Sequence, residues 1–220
     1  MVQWVHERVS RASRVAEVWV ATEDERVARC VEGFGGRVAL TSPSHATGTD
    51  RVAEAIQGLD ANWILNVQGD EPLVPAGELD RLVEAMVADP ELEMATLAVP
   101  IAAEDPAFGD PDVVKVAARA DGSALYFSRS PIPFARGERP DGARPLRHWG
   151  IYAFRRDYLE RFVTLPRSPL ECSENLEQLR ALEDGARIRV IQSSEQSLSV
   201  DRPRDAERVA VLMKELGVAK

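Results

Sequence analysis

Strand and helix patterns alternate along the first part of the chain, and this alternation constrains the fold more than any other feature of the sequence. Apolar runs typical of strands lie at 17–22, 37–40, 63–67 and 94–99. Apolar residues recur at helical spacing over 2–14, 24–33, 50–57 and 76–88. Strands that alternate with helices pair in parallel and are covered by those helices. The sequence therefore predicts an α/β fold with a doubly wound, mostly parallel sheet.

The second half is richer in strand patterns and predicts a β-rich subregion. Runs at 113–118 and 124–128 flank Ala120-Asp121-Gly122-Ser123, a combination typical of a hairpin. The Pro-, Gly- and Arg-rich stretch 131–145 is typical of an exposed loop or arm. Residues 168–171 form a capping-box pattern that opens a helix to 183. The remaining predicted elements are strands at 148–154, 187–191 and 198–200, and helices at 157–163 and 204–216.

Composition limits the class of protein and of partner. The chain has 220 residues, and 45% of them are hydrophobic. It contains no apolar run as long as a membrane span, which needs about 18 residues. It also lacks a basic and then apolar leader, so we predict a soluble, cytoplasmic protein with no membrane partner. The formal net charge of −9 disfavours nucleic acid but allows small anions held by local arginines and a divalent cation. Cys30 and Cys172 lack metal-ligand spacing and are predicted to be reduced and partly buried.

An acidic segment, Gln68-Gly69-Asp70-Glu71-Pro72, comes directly after the predicted strand 63–67. Ligands of open α/β sheets bind at the carboxyl ends of strands, so carboxylates here indicate a metal or a phosphate-bearing substrate held through a metal. The same residue types are also typical of a turn with a helix N-cap. Both interpretations stay open on local grounds. The sequence has no glycine-rich phosphate loop, and it begins within a helical pattern instead of a strand.

Seven short stretches occur in the order and approximate spacing of one family. They are HATGTDR at 45–51, VQGDEP at 67–72, YFSR at 126–129, RHWGIY at 147–152, SPLE at 168–171, LEQLR at 176–180 and VD at 200–201. Over nearly its whole length the chain resembles the 3-deoxy-manno-octulosonate cytidylyltransferases, the CMP-Kdo synthetases of lipopolysaccharide biosynthesis. The resemblance implies that the anomeric hydroxyl of Kdo attacks the α-phosphorus of CTP. The products would be CMP-Kdo and pyrophosphate, with Mg²⁺ neutralising charge on the phosphates.

The resemblance also implies a role for each candidate site residue. Asp70 and Asp201 would bind Mg²⁺, an ion that prefers one or two carboxylates together with phosphate oxygens. Gln68 would read the cytosine edge, because an amide offers both a donor and an acceptor. The other implied nucleotide contacts are Thr47, Gly48, Thr49 and Arg51. The implied contacts to the sugar acid are Arg129, His148, Tyr152, Glu177 and Gln178, with Arg129 able to clamp a carboxylate bidentately.

Each of these assignments has a structural alternative on local grounds. Asp201 could cap the last helix, and 47–51 could be a surface helix start with Asp50 as the N-cap. His148 and Tyr152 lie four apart on a strand, share one face, and could be an ordinary buried pair. Residues 177–178 could belong to a solvated helix face.

The resemblance implies a single cytidylyltransferase-like domain over 1–220, with a nucleotide-binding half at 1–100 and a sugar-binding and dimerisation half at 112–200. It also implies a homodimer, with 120–150 as a candidate contact.

Family members open with an apolar strand and a Pro-Ala-Arg loop before a Gly-Lys-Pro segment. This sequence lacks that opening, so we expect weak or no activity from these 220 residues. Two alternatives are a cytidylyltransferase for a related acidic sugar and a non-catalytic homologue that binds a sugar acid.

Overall fold

The computed structural model describes residues 1–140, 143–195, 199–200 and 203–215, and the chain divides into two compact units. The first unit comprises Met1–Ala61, Asn66–Arg81 and the chain from Gln196 onward. The second comprises Asn62–Leu65 and Leu82–Glu195. Strand β3 (Trp63–Asn66) and helix α4 (Ala76–Ala88) have residues in both units.

The first unit contains a two-stranded parallel sheet and four further helices among the described residues. Its elements are α1 (Val2–Val9), β1 (Trp19–Thr22), α2 (Glu25–Gly33), β2 (Arg37–Leu40), α3 (Gly48–Ala55) and α9 (Pro203–Glu215). Trp19 of β1 lies opposite Arg37 of β2. Asp24 caps α2 by accepting the N–H of Arg26 at 2.7 Å. Val31 of α2 is fully buried, so the amphipathic pattern predicted for this helix faces a core.

The second unit is built on a larger mixed sheet. Its elements are β4 (Met94–Pro100), α5 (Pro106–Gly109), β5 (Lys115–Ala118), β6 (Ala124–Ser128), β7 (Leu146–Arg155), α6 (Arg156–Phe162), α7 (Pro169–Glu174), α8 (Gln178–Glu183) and β8 (Ile188–Gln192). The strand order is β6-β5-β7-β4-β8, and β3 also pairs with β7. β4 is parallel to β8 and antiparallel to β7, and six of its seven residues are buried. A strand enclosed in this way reads as a continuous apolar run, as 94–99 does.

The α/β class and most predicted elements are confirmed. β5 and β6 form the predicted antiparallel hairpin, and Gly122 in its turn has a φ of +84° that favours glycine. The helix predicted over 168–183 is instead divided into α7 and α8 at Asn175, which adopts φ 52°. Asn tolerates this left-handed conformation, so the helix can end there without a glycine. Residue 198 of the strand predicted at 198–200 lies outside the described residues, and residues 199–200 are not in a strand.

Both cysteines are more exposed than predicted. Cys30 and Cys172 are both exposed, so the prediction that they are partly buried was wrong. Cys30 lies outside the buried face that Ala28 and Val31 form on α2, and Cys172 lies on α7, where the buried residue is Glu171. Within the described part of the chain, no helix is long and apolar enough to cross a membrane.

Candidate active site

The start of α3 is fixed by a reciprocal pair of hydrogen bonds. The hydroxyl of Thr47 accepts the N–H of Asp50 at 3.1 Å, and the Asp50 carboxylate accepts the N–H of Thr47 at 3.1 Å. Thr47 is therefore the N-cap, and Asp50 occupies the third helical position. The alternative in which Asp50 caps the helix was wrong, because the extended backbone of Thr47 places its hydroxyl over the first turn.

A series of polar contacts, buried at Thr49 and Asn66, connects α3 with the end of β3. Asn66 donates from Nδ2 to Thr49 Oγ1 at 3.2 Å, and Gln68 donates from Nε2 to Asn66 Oδ1 at 3.4 Å. Thr49 and Asn66 are buried, whereas Gln68 is exposed. A Cβ added at Gly48 would lie 3.7 Å from Gln68 Oε1, so the two residues are neighbours. The structure thus brings Gln68, Gly48 and Thr49 together, and it adds Asn66, a polar residue inside an apolar strand that could have been noticed from sequence.

Arg51 points toward the loop that precedes α3. Its Nη1 donates to Thr41 Oγ1 at 2.7 Å and lies 2.6 Å from a carboxylate oxygen of Glu23. The side chain of Arg51 is only 18% exposed, so this ion pair is partly shielded from solvent. Much of the Arg51 charge is compensated locally, and its proposed nucleotide contact stays a prediction.

Glu54 holds the same loop from one turn further along α3. Its Oε2 accepts the N–H of Ser42 at 3.0 Å and hydrogen-bonds with His45 Nε2. The hydrogen bond from His45, together with the weaker effect of the Ser42 N–H, lowers the pKa of Glu54. Loop residues 42–45 are therefore bound to the helix that comes after them.

We expect Glu54→Gln to loosen this loop. The amide is nearly isosteric, but it loses the charge that strengthens both hydrogen bonds. Amide hydrogen exchange over residues 42–47 should become about threefold faster or more. Glu25→Gln is the matched control, because Glu25 makes an exposed i,i+4 pair with Arg29 on α2. Unchanged exchange over 42–47 in Glu54→Gln would contradict the interpretation.

The acidic segment after β3 forms a compact turn, and backbone contacts within the first unit hold it. The N–H of Glu71 donates to the carbonyl of Gln68 at 3.3 Å, and the N–H of Val200 donates to the carbonyl of Asp70 at 2.9 Å. Arg8 of α1 donates from Nε to the carbonyl of Val74 at 3.0 Å. The segment is thus a turn by geometry, as the local alternative predicted. The Asp70 side chain is partly exposed, and its role as a metal ligand stays a prediction.

The C-terminal helix packs on the same segment. Leu73 forms a buried cluster with Val209 and Met213 of α9. Among the described residues, no group of three or more His, Cys, Asp or Glu side chains is placed to hold a metal. Asp201, the second implied Mg²⁺ ligand, lies outside the described residues.

In the second unit, a β-bulge shapes the face that carries His148 and Tyr152. Thr96 of β4 lies opposite Tyr152, whereas the next residue, Leu97, lies opposite Trp149. β7 therefore contains two extra residues at this point, and this even number keeps His148 and Tyr152 on one face. Their ring centroids are 5.4 Å apart, so the prediction of a shared face is confirmed.

Thr96 is a functional candidate that the sequence did not reveal. It is fully buried, and its Oγ1 lies 2.8 Å from the carbonyl of Ile151 and 3.0 Å from His148 Nε2. A hydroxyl that donates to the carbonyl accepts from the ring, so we assign the His148 proton to Nε2. His148 Nδ1 is then an acceptor. Only the register of β4 against β7 creates this contact, which explains why sequence reasoning missed it.

Burial favours the neutral forms of the His148 imidazole and the Tyr152 phenol. It lowers the pKa of His148 to about 3. It also raises the pKa of Tyr152 well above its ordinary value, and the nearby Glu177 carboxylate adds to this effect. The structure thus brings Glu177 close enough to act on Tyr152, and the pair offers neutral hydrogen-bonding groups at physiological pH.

We expect the His148 ring not to titrate between pH 5 and about 8. Because the folded pKa is about 3 and the ordinary pKa is 6.5, the unfolded state binds more protons between these values. The contribution of His148 to stability therefore decreases as pH falls from 6.5 toward 3. NMR of the ring nitrogens tests this directly, with the partly exposed His6 as the reference ring. A His148 midpoint near 6.5 would contradict the assignment.

Arg129 lies at the end of β6 and binds backbone carbonyls. Its Nε donates to the carbonyl of Glu174 at 2.7 Å, and its Nη1 donates to the carbonyl of Pro111 at 3.0 Å. Its Nη2 lies 3.4 Å from the carbonyl of Asn175. The predicted carboxylate clamp would therefore share its donors with these carbonyls.

Glu177 and Gln178 lie where α8 begins, just beyond the end of α7. Glu177 is the N-cap residue of α8 and is half-buried, whereas Gln178 is buried. The alternative of a solvated helix face is therefore wrong for Gln178, because the break at Asn175 turns α8 so that this residue faces inward.

Comparison with known proteins decides the family. Residues 1–188 match the family model described as cytidylyltransferase. The chain is 47% identical to 3-deoxy-manno-octulosonate cytidylyltransferase of Geobacter sulfurreducens, covering 97% of this chain and 89% of the relative. It is also 47% identical to the protein of the same name from Solibacter usitatus, covering 97% and 84%. The chain belongs to the 3-deoxy-manno-octulosonate cytidylyltransferase family.

A solved structure agrees with this family assignment. The structure of CMP:2-keto-3-deoxy-manno-octonic acid synthetase complexed with CTP matches the protein with a TM-score of 0.91 and 42% identity, covering 97% of this chain and 87% of that chain. A 4-diphosphocytidyl-2C-methyl-D-erythritol synthase from Anaerococcus prevotii matches with a TM-score of 0.63 at 15% identity, and this likeness concerns the fold alone. The family resemblance carried by the seven stretches is confirmed.

Proposed function

We propose that this protein transfers CMP from CTP to Kdo, giving CMP-Kdo and pyrophosphate, as a step of lipopolysaccharide biosynthesis. The observation that carries the proposal is the TM-score of 0.91, at 42% identity, to a synthetase complexed with CTP. Eight relatives at 43–48% identity carry the same name, so Kdo is favoured over other acidic sugars and over a non-catalytic role.

Residues 1–100 would form the nucleotide-binding half. The exposed amide of Gln68, held by Asn66 beside Gly48, supports a role in reading the cytosine edge. A Cβ at position 48 would be in van der Waals contact with that amide, so the Gly48 backbone lies directly beside the proposed base-reading group. Displacement at phosphorus depends mainly on positioning and charge stabilisation, which an ordered loop at 41–47 can provide.

The carboxylate of Asp70 supports a role in binding Mg²⁺. Asp70 offers a carboxylate at the end of a strand, and the hydrogen bond from Val200 ties its backbone to the residue that precedes Asp201 in sequence. One or two carboxylates, completed by phosphate oxygens and water, match the preference of this ion. When bound, Mg²⁺ would neutralise charge on the phosphates of CTP.

Residues 112–200 would form the sugar-binding and dimerisation half. Neutral His148 and Tyr152, together with the Gln178 amide and the Glu177 carboxylate, suit a ligand rich in hydroxyls. Arg129 would add positive charge toward the acid group of Kdo.

A homodimer with a contact in 120–150 is part of the proposal, and the 87% exposure of Phe134 supports it. Light scattering tests the dimer, and fractionation tests the proposed cytoplasmic location.

Calorimetry with CTP and Mg²⁺, and separately with Kdo, tests the substrates. We expect each to bind, and we expect Gln68→Ala to weaken CTP without affecting Kdo. A chain that binds Kdo alone would support the non-catalytic alternative instead. A chain that binds neither would contradict the proposed function.

A further inference from the structure

Lys115, the first residue of β5, is an unusual buried cation. Its side chain has no exposed surface, and its Nζ lies within hydrogen-bond distance of three carbonyl oxygens. These are the carbonyls of Val113 at 2.5 Å, Arg129 at 2.6 Å and Asp110 at 2.8 Å. An ammonium group has three donors, so the three carbonyls use all of them. Burial lowers the pKa of Lys115, with Asp110 and Glu174 acting in the opposite direction.

An apolar residue of similar length would avoid the desolvation of this charge, and such replacements are often neutral or stabilising. Stability alone therefore gives a weak reason for a lysine here. The three carbonyls belong to two segments, the 110–113 turn and the end of β6, and the ammonium cross-links them. The cross-link sets where the backbone of Arg129 lies.

The Arg129 side chain extends this cross-link to α7. Its guanidinium binds the carbonyls of Pro111 and Glu174, and its backbone N–H donates to Glu174 Oε2 at 3.0 Å. Ser128 donates to the other carboxylate oxygen of Glu174 at 2.6 Å. Glu174, the last residue of α7, is therefore attached to the end of β6 by both its side chain and its backbone.

The attachment of Glu174 matters because two proposed sugar contacts lie just beyond α7. The chain turns at Asn175 with φ 52°, and Glu177 and Gln178 come within the next three residues. A shift of Glu174 would move both of these contacts as a unit. The path runs from the Lys115 ammonium through the Arg129 backbone and Glu174 to the start of α8.

We propose that Lys115 is a positioning residue for recognition of the sugar acid, acting through Arg129 and Glu174 on Glu177 and Gln178. The inference rests on the proposed function of the second unit as the Kdo-binding half. Lys115 itself has no donor left for a ligand, so its effect must be transmitted through the backbone it holds.

The test compares Kdo and CTP binding by calorimetry in Lys115→Met and Lys115→Gln. We expect Lys115→Met to weaken Kdo about tenfold or more, since small displacements of contact groups have large effects. CTP affinity should change less than about twofold, because the residues proposed for CTP belong to the other unit. Lys115→Gln retains two amide donors and should recover part of the Kdo affinity. Lys214→Met is the matched control on the exposed surface of α9.

A merely structural role would lower the thermal midpoint without changing the ratio of Kdo to CTP affinity, and that result would overturn the proposal. If Lys115→Met does not fold, Glu174→Gln takes its place, because it keeps the shape and weakens the bonds to Ser128 and Arg129. Unchanged Kdo affinity in Glu174→Gln would then overturn it. Failure of the wild-type chain to bind Kdo would instead contradict the proposed function of the second unit.

Discussion

Asp70→Asn is expected to lower kcat/KM for CMP-Kdo formation by at least about 100-fold, the range found when a preorganised electrostatic contact to a transition state is removed. The substitution keeps the shape of the side chain and removes one negative charge from the proposed Mg²⁺ ligands. The turn itself should persist, because Val200 binds the backbone carbonyl of residue 70 and not its side chain. Mass spectrometry of CMP-Kdo measures rates low enough for this comparison.

Asp60→Asn is the matched control for this experiment. Asp60 is an exposed aspartate in the loop before β3, and its loss should leave the rate within about twofold of the wild type. The variant Asp70→Asn should also need more Mg²⁺ for half-maximal activity. A rate within about threefold of the wild type would contradict a role for Asp70 in the chemistry.

Arg180→Met is expected to destabilise the second unit by about 3–5 kcal/mol, because it removes the buried cation that pairs with the buried Glu171 carboxylate. Arg180 and Glu171 form two hydrogen bonds of 2.8 and 2.7 Å, with side chains only 7% and 3% exposed. Methionine keeps contact with the Phe162 ring, over which the Arg180 guanidinium lies at 4.7 Å. Urea unfolding followed by a probe in the second unit measures the change.

Arg167→Met is the matched control, since Arg167 also pairs with Glu171 but is 58% exposed. Removing such an exposed partner should cost no more than about 1 kcal/mol. Although burial opposes it, the hydrogen bonds from Arg180 and Ser168 lower the pKa of Glu171. The stability that Glu171 contributes is therefore present above its ordinary pKa of 4.5 and is lost as pH falls through the lowered value. Equal effects of the two arginine variants would contradict the role of the buried pair.

Local signals in the sequence predicted the elements of the fold and the family. The Ser168 capping box forms as expected, with hydrogen bonds to Glu171 in both directions. The turn at Gly122 and the burial of β4 also agreed with residue type and pattern. These features depend on residues close together in the chain, so composition and spacing are sufficient to find them.

Features that depend on distant residues were not predictable in the same way. Thr96 contacts the bulge of β7 across 52–55 residues of sequence, and Lys115 binds the carbonyl of Arg129 from a neighbouring strand. The carbonyls around Arg129 likewise come from α7 and the 110–113 turn. Such contacts depend on strand register and on tertiary packing, which a single sequence does not specify. Asn66 is an intermediate case, because its position in an apolar strand was visible but its partner was not.

Formation of CMP-Kdo is the most direct test of the account. The 220-residue chain is incubated with CTP, Kdo and Mg²⁺ at protein concentrations comparable with those of the substrates, so that even weak activity is detected by mass spectrometry. We predict slow formation of CMP-Kdo and an equal amount of pyrophosphate, both dependent on Kdo and both at least about 100-fold slower in Asp70→Asn. The absence of CMP-Kdo, under conditions in which the Geobacter sulfurreducens relative forms it, would contradict the proposed transfer.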